Sequence, residues 1–477
     1  MLLLSPLLIP LVASLVSTFV SGLARLAVNL VSGGLLFASA CALLLQVADQ
    51  GRQSLALGAW PLPYAIEFAA DGLSAVMILL VALVSLAVSV YQIGWKESPE
   101  RSGLYSLQHG LIAASMAVLL AADLFNLYVW FELMLMALLG LLTLGGGWRN
   151  NEAAFKYFTL SMVGTLLMLA SVGLIHGATG QLNFAALAQI SRDPALGPAL
   201  PVYMGMLLAA LLLKAGAFPL FAWLPASYHT LPAPLLALVG GLLTKISLYV
   251  LFRLTGQVFD VGMLREALGW LAVVTMVSGV LGAAYHWDLR RILAFHIVSQ
   301  IGYLLLGLAL ASPAGGAATG FFLLHNVLVK TNLFLIAGLM WASMGHYDLR
   351  KGGGLYPAKP LLAALFLLSA LSLVGVPPSS GFWGKFLLLQ EAFAQERFVW
   401  GGIALATGLL TLYSMSKIWL ECFWKVHPET LSPGSSPRSA YVAVITLSVV
   451  ILFIGLYPEP IINFLQEHTT DFWRDNS

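Results

Sequence analysis

The sequence predicts an all-α polytopic membrane protein, and three observations predict it. Of 477 residues, 60% are hydrophobic and only 9% are Asp, Glu, Lys or Arg, against about 25% charged in soluble domains. Long runs carry none of those four residues: 2–24, 26–48, 72–95, 157–191, 215–244 and 360–384. The polar gaps between runs are too short for a soluble domain. Each run reaches the roughly 20 residues that cross about 30 Å of hydrocarbon as a helix. An open sheet would leave edge groups unpaired in lipid, so the spans are helical.

Taken in order, the apolar runs place about 14 spans near 2–22, 24–47, 70–94, 105–122, 124–146, 153–177, 201–220, 232–254, 266–285, 291–311, 317–343, 360–397, 401–424 and 438–457. Residues 1–20 lack a basic leader and a convincing cleavage site and read as a retained first span. The stretch 51–66, with Pro61 and Pro63, reads as a polar connection. Connections after odd-numbered spans hold Arg25, Lys96, Arg101, Arg149, Lys156, Arg290, Arg291, Arg350, Lys351, Lys359, Lys425 and Arg438. The opposite side holds Arg52, Arg192, Arg253, Arg265, Arg397 and Arg474. The positive-inside rule then sets both termini outside the cytoplasm.

Composition also excludes. A net charge of +2 gives no argument for nucleic acid. Cys41 and Cys422 are too few for a cysteine-ligated cluster or zinc site built by this chain alone. Gly384-Lys385 is followed by Phe386, where a phosphate-cradling loop needs a hydroxyl. No His/Asp/Glu group has clear metal-ligand spacing, and nothing signals an amphipathic surface-lying domain. No cofactor is expected, and any metal site is left unassigned.

Spans 7 and 12 are interrupted. Lys214-Ala-Gly-Ala-Phe-Pro219 sets Gly and Pro inside the first, and Val376-Pro377-Pro378-Ser-Ser-Gly381 inside the second. Proline removes a backbone donor and clashes with the preceding turn, so each helix opens there. Opened backbone survives at membrane depth only against protein or a wet cavity. The breaks lie five spans apart, as expected of two inverted five-helix repeats (spans 4–8 and 9–13), and paired broken helices point to a transport site. One proline kink alone would be an ordinary structural feature; two in register are harder to read that way.

Lys214, Lys245, Lys330, Lys385 and Lys417 fall inside spans, and Glu132 sits mid-span in Tyr128-Val-Trp-Phe-Glu132. Each buried charge costs about 2.5–3.5 kcal/mol on insertion scales. Desolvation favours the neutral amine and a neighbouring carboxylate restores the ammonium, so a lysine with a movable partner is a switchable proton carrier. A static Glu132–Lys214 pair gluing two helices is the competing reading, but glue needs one pair and this chain has a lysine excess. Lys417 and Glu421, four apart, read as a surface pair, and Glu391 is ambiguous. His296, beside Ser299, Gln300 and Tyr303, and His325, five before Lys330, can donate and accept protons near neutral pH; either could equally be a satisfied core histidine. His229 and His286 fall in connections.

These residues resemble a known family. Leu213-Lys214-Ala-Gly-Ala-Phe-Pro219-Leu-Phe-Ala-Trp223-Leu-Pro225-Ala-Ser-Tyr-His229-Thr-Leu-Pro232-Ala-Pro234, with Gly241-Leu-Leu-Thr-Lys245, is similar to the signature of proton-antiporter-type subunits. That family includes membrane-arm subunits of respiratory NADH–quinone oxidoreductase and subunits of the Mrp multisubunit sodium/proton antiporter. Asp288-Leu-Arg-Arg-Ile-Leu-Ala-Phe-His296-Ile-Val-Ser-Gln-Ile-Gly302-Tyr303 is especially similar to the D-type Mrp subunits, and the chain length suits them. The resemblance implies a cation/proton antiporter subunit, with a proton-pumping subunit of a redox complex or membrane-bound hydrogenase as the alternative. In neither case is this chain itself an enzyme; redox chemistry would lie in partners.

The resemblance further implies roles. Glu132 matches the carboxylate of span 5, Lys214 its partner, Lys245 the connecting base and Lys385, in Gly381-Phe-Trp-Gly-Lys385, the terminal carrier. His325 and Lys330 fall where relatives carry His-x-x-x-Lys, here one residue wider. His296, Pro219, Pro377 and Pro378 support them. Implied partners are the other Mrp antiporter subunits (the A, B, C, E, F and G types), Na+ and H+ as transported ions, and lipid, in a bacterial cell membrane. The expected units are residues 1–104, 105–255, 264–425 and 436–477.

Overall fold

Chains this apolar bury helices against helices, and the computed structural model shows that packing for residues 2–58, 60, 64–95, 103–191, 199–259, 262–426 and 437–473. Lys96, Arg101, Arg192, Arg474, Pro61 and Pro63 lie outside the described residues. The helices are α1 (Ser5–Phe19), α2 (Gly22–Gln50), α3 (Gly72–Tyr91), α4 (Leu104–Leu120), α5 (Leu124–Leu144), α6 (Gly147–Thr179), α7 (Phe184–Ile190), α8 (Ala199–Ala215), α9 (Trp223–Ser227) and α10 (Ala233–Arg253). They continue as α11 (Arg265–Tyr285), α12 (Leu289–Leu310), α13 (Pro313–Met344), α14 (Leu355–Ala358), α15 (Pro360–Val374), α16 (Ser380–Ala394), α17 (Phe398–Ile418), α18 (Arg438–Leu456) and α19 (Glu459–Trp473). Among the described residues, 11 helices are long and apolar enough to cross a membrane, and the shorter apolar α4, α8 and α15 stand at three further expected spans. The protein is polytopic and all-α in its spans.

Short polar caps fix where the helices begin. Asp123 accepts from the Asn126 N–H at 2.8 Å to start α5, and Asp288 accepts from the N–H groups of Arg290 and Arg291 to start α12, satisfying donors that a helix N-terminus leaves free. These two caps also expose the internal repeat. Asp123 forms an isolated antiparallel bridge with Asn183, and Asp288 forms the matching bridge with Asp348. Around the first, Leu124 N–H donates to Leu182 O and Phe184 N–H to Ala122 O; around the second, Leu289 N–H donates to Tyr347 O and Leu349 N–H to Trp287 O. The first bridge joins the connections after spans 4 and 6, the second those after spans 9 and 11. Equivalent latches therefore sit at opposite ends of the bundle, and the repeats are inverted.

Helices α10, α12 and α13 are buried nearly all round. They read as hydrophobic on every face, which is how a central helix in a bundle reads.

Three features differ from the sequence expectation. The connection near 51–66 contains a hairpin, β1 (Gln53–Leu57) with β2 (Ile66–Ala70), Gln53 opposite Ala70; it lies outside the spans, with β1 largely exposed and β2 mostly buried, Phe68 bridging Ala121. Beyond the last span, α19 packs on α13 and α3 with Leu465 and Thr469 buried. Its sequence opens on Pro458 and Pro460 and alternates apolar with polar residues, too short and too polar for a span, so a reading by spans passes over this amphipathic segment. Arg253 is not in a connection but ends α10, 6% exposed, because Asp71 compensates it at 2.8 Å.

Candidate functional site

The two broken helices use one backbone device. At the first, Gly216 takes a left-handed φ of 81° and both Gly216 and Ala217 donate to Leu212 O. At the second, Gly375 takes φ 95° and both Gly375 and Val376 donate to Leu371 O. Glycine ends a helix this way without a Cβ penalty. Pro219 and Pro378 stand three residues after each glycine; a proline has no N–H to continue the ladder.

Around the first break, Lys214 lies in the last turn of α8. Its Nζ donates to Thr165 Oγ1 of α6 at 2.9 Å and lies 5.3 Å from the Phe131 ring centre. Glu132 on α5 is half-buried, with one carboxylate oxygen enclosed and, among the described residues, without a hydrogen-bond partner. Among the described residues no ion pair joins it to Lys214, although it is near enough to act on that ammonium through its field. The Leu213 carbonyl accepts from the Gly216 N–H at 3.1 Å and also from Trp223 Nε1 at 3.2 Å.

Around the second break, Lys385 turns back from α16 and donates to Leu373 O at 3.0 Å and Val374 O at 2.8 Å, the carbonyls that the end of α15 leaves free. Its Nζ is 4.8 Å from the Tyr303 ring centre. His325 Nδ1 meets Ser380 Oγ at 2.9 Å. Helix α16 approaches α13 closely here: a Cβ on Gly381 would stand 2.7 Å from His325 Cε1 and would collide with Ser372 O.

Between the breaks, Lys245 of α10 and Lys330 of α13 are fully buried. Lys245 donates to Gly240 O at 2.7 Å, whereas among the described residues Lys330 Nζ has no hydrogen-bond partner, and it lies in the electrostatic range of both Lys245 and Lys385. His296 Nε2 meets Ser414 Oγ at 3.0 Å. Around them Thr244, Thr331, Asn326, Ser299 and Gln300 also hold buried polar atoms without partners. The five-residue spacing of His325 and Lys330 turns them toward different neighbours, but both stay inside because α13 is enclosed on every side.

Lys417 corrects an expectation. It does not pair with Glu421; its Nζ donates to Ala284 O at 2.7 Å and His286 O at 2.6 Å, closing the end of α11, while Glu421 pairs with Lys425 at 3.0 Å. Glu391 accepts from Ser312 and Gln395. Thr165, Ser380 and Ser414, which hold the titratable groups, escape sequence reasoning because hydroxyls in apolar helices are too common to single out.

Each end of the bundle has a cavity. One, of about 860 Å³, is lined by Asp71, Arg253, Gln257, Glu467 and His468 among others. Burial pushes the Asp71 carboxyl up, but Arg253, Ser74 and Arg52 together hold it below its ordinary value. The other, of about 380 Å³, is lined by Arg149, Glu152, Lys156, His229, His286 and Arg291 among others. Burial, then the charges of Arg291, Arg290 and Arg149, hold the His229 imidazole down to about 4.

A family model described as NADH:quinone oxidoreductase/Mrp antiporter, transmembrane, matches residues 121–411. The chain belongs to that family. It is 35% identical to the D-type subunit of the Na(+)/H(+) antiporter of Bacillus subtilis, covering 94% of this chain and 92% of the relative. It is 36% identical to the corresponding D-type antiporter chain of Alkalihalophilus pseudofirmus, covering 88% and 86%. A chain in the structure of the Mrp complex from a Dietzia species superposes with a TM-score of 0.91 at 29% identity, covering 100% of this chain and 98% of that one. The matched segment contains both breaks, Glu132, Lys214, Lys245, Lys330, Lys385, His296 and His325; Lys417 lies beyond its end.

Proposed function

We propose that this chain is the D-type subunit of a multisubunit Na+/H+ antiporter and carries protons through the interior of its own bundle. It works in a cell membrane with the other Mrp subunits, as a secondary transporter subunit rather than an enzyme. The observation that carries the reading is the fully buried Lys245–Lys330 pair of positions, flanked by Lys214 and Lys385 at the two breaks and surrounded by polar atoms without partners. A dry unpaired polar group costs about 1–3 kcal/mol, and buried water with about three hydrogen bonds is the usual remedy. A bundle that served only to pack helices would gain from replacing these groups with leucine.

In this mechanism Lys214 exchanges a proton with the first half of the path while Glu132, free to approach or recede, tunes its hold on the proton. Lys245 and Lys330 relay it across the α10–α13 contact. His325, oriented by Ser380, and Lys385, held by two backbone carbonyls, pass it to the second half. His296 supports the relay from α12, and Pro219, Pro377 and Pro378 keep both helices open. The repeat units are 105–255 and 264–425, between 1–104 and 436–477, and both termini face away from the cytoplasm, following the arginine and lysine bias.

The test is antiport in everted vesicles. Lys214→Ala and Glu132→Ala should each abolish exchange with the assembled complex still present; full activity in both would sink the assignment.

A further inference from the structure

We propose that the cleft between the start of α6, the α9 segment and the start of α12 binds the phosphodiester headgroup of an anionic membrane lipid. The site does not depend on the proton path. Arg149 and Arg291 both line it, and among the described residues neither has a carboxylate partner: Glu152 is taken by Lys156 in an exposed i,i+4 pair at 2.5 Å, and Asp288 lies 3.8 Å from Arg290. Two guanidinium groups thus face one concavity with their charge uncompensated. His229 Nδ1 meets Pro225 O at 3.1 Å, so the proton sits there and Nε2 is left to accept from Arg291 Nη2 at 3.4 Å. The imidazole adds a polar wall and no charge.

A phosphodiester fits this lining: it carries one negative charge and oxygen edges that a planar guanidinium grips with two parallel donors. The rim selects a lipid over free phosphate. Trp148 and Phe155 of α6 and Tyr285, the last residue of α11, are 83%, 69% and 79% exposed, and Phe218 and Leu220 of the break are exposed beside Phe221. Tryptophan and tyrosine settle at headgroup level, with apolar surface below for acyl chains. Basic recesses between transmembrane helices are where anionic headgroups are held.

The experiment uses the purified complex in nanodiscs of phosphatidylcholine with spin-labelled phosphatidylglycerol or spin-labelled phosphatidylcholine as the probe. The complex should immobilise the glycerol lipid in excess of the choline lipid. Arg149→Gln with Arg291→Gln should remove that excess, weakening retention by about tenfold or more, and Arg149→Lys should keep most of it. Arg149→Gln alone, at an exposed position, should lower it partway, which preserves the test if the double variant does not assemble. Equal retention in wild type and in Arg149→Gln would overturn the proposal. So would displacement by inorganic phosphate alone, which would mean a free anion site, or crosslinking of position 149 to an acidic segment of another subunit in the lipid-free complex.

Discussion

The two broken helices have the same backbone and different chemistry. Both stop on a left-handed glycine with two N–H groups on one carbonyl. In the second, the lysine follows the break and caps the carbonyls the break releases. In the first, the lysine precedes the break and points away to Thr165, leaving an indole to cap. Lys385 is therefore part of the structure of its own break, whereas Lys214 is an addition that its break does not need. A shared hinge can thus carry an ammonium tied to the backbone or one left free to answer a carboxylate.

The largest effect that can break this comparison is Lys385→Ala. It removes a proposed carrier and strands two buried carbonyls, so antiport should fall by about 100-fold or more and the complex should lose about 2–4 kcal/mol of stability. Transport assays and thermal melting read the two together. Lys214→Ala should cost as much transport but only about 1–2 kcal/mol of stability, since it strands one buried hydroxyl rather than two carbonyls. Equal melting losses in the two variants would erase the distinction.

Trp223→Phe sharpens it from the other side. Losing the indole donor to Leu213 O should cost about 1 kcal/mol and leave at least about half of the transport, because no proposed carrier changes. A transport loss as large as that of Lys214→Ala would make the indole part of the path.

The smallest effect is in pH. The turn after the first break contains His229, and the second break has no histidine in that place. The folded state holds this imidazole neutral down to about 4, whereas its ordinary value is 6.5. Its contribution is whole above pH 6.5 and is lost as pH falls toward 4, because the unfolded chain binds the proton first. Melting curves from pH 8 to 4.5 should be flatter in His229→Gln; an unchanged slope would mean another group titrates.

The spans, the breaks and the lysine series were legible because each violates a local rule: an uncharged run, a proline within it, a charge within it. What those groups touch was not legible. Lys417 closes the end of α11 across more than a hundred residues of sequence, a tertiary match that the nearby Glu421 concealed. Asp71 and Arg253 each stood at a span boundary, where a charge is unremarked; only folding shows that they neutralise one another. The α19 helix falls below the length and apolarity that mark a span, and it acquires its place only from the α3 and α13 surfaces that receive it.

Gly381 has a consequence of its own. The separation of α16 from α13 and from the Ser372 carbonyl of α15 is set there by hydrogen atoms, and one methyl would act as a shim pushing the chain segment bearing Lys385 off both that carbonyl and the imidazole of His325. Gly381→Ala should therefore widen a gap rather than remove a group. In the proposed relay this interval then matters as much as the identity of the residues on either side, and tuning it would change the tempo of exchange while leaving the cast intact.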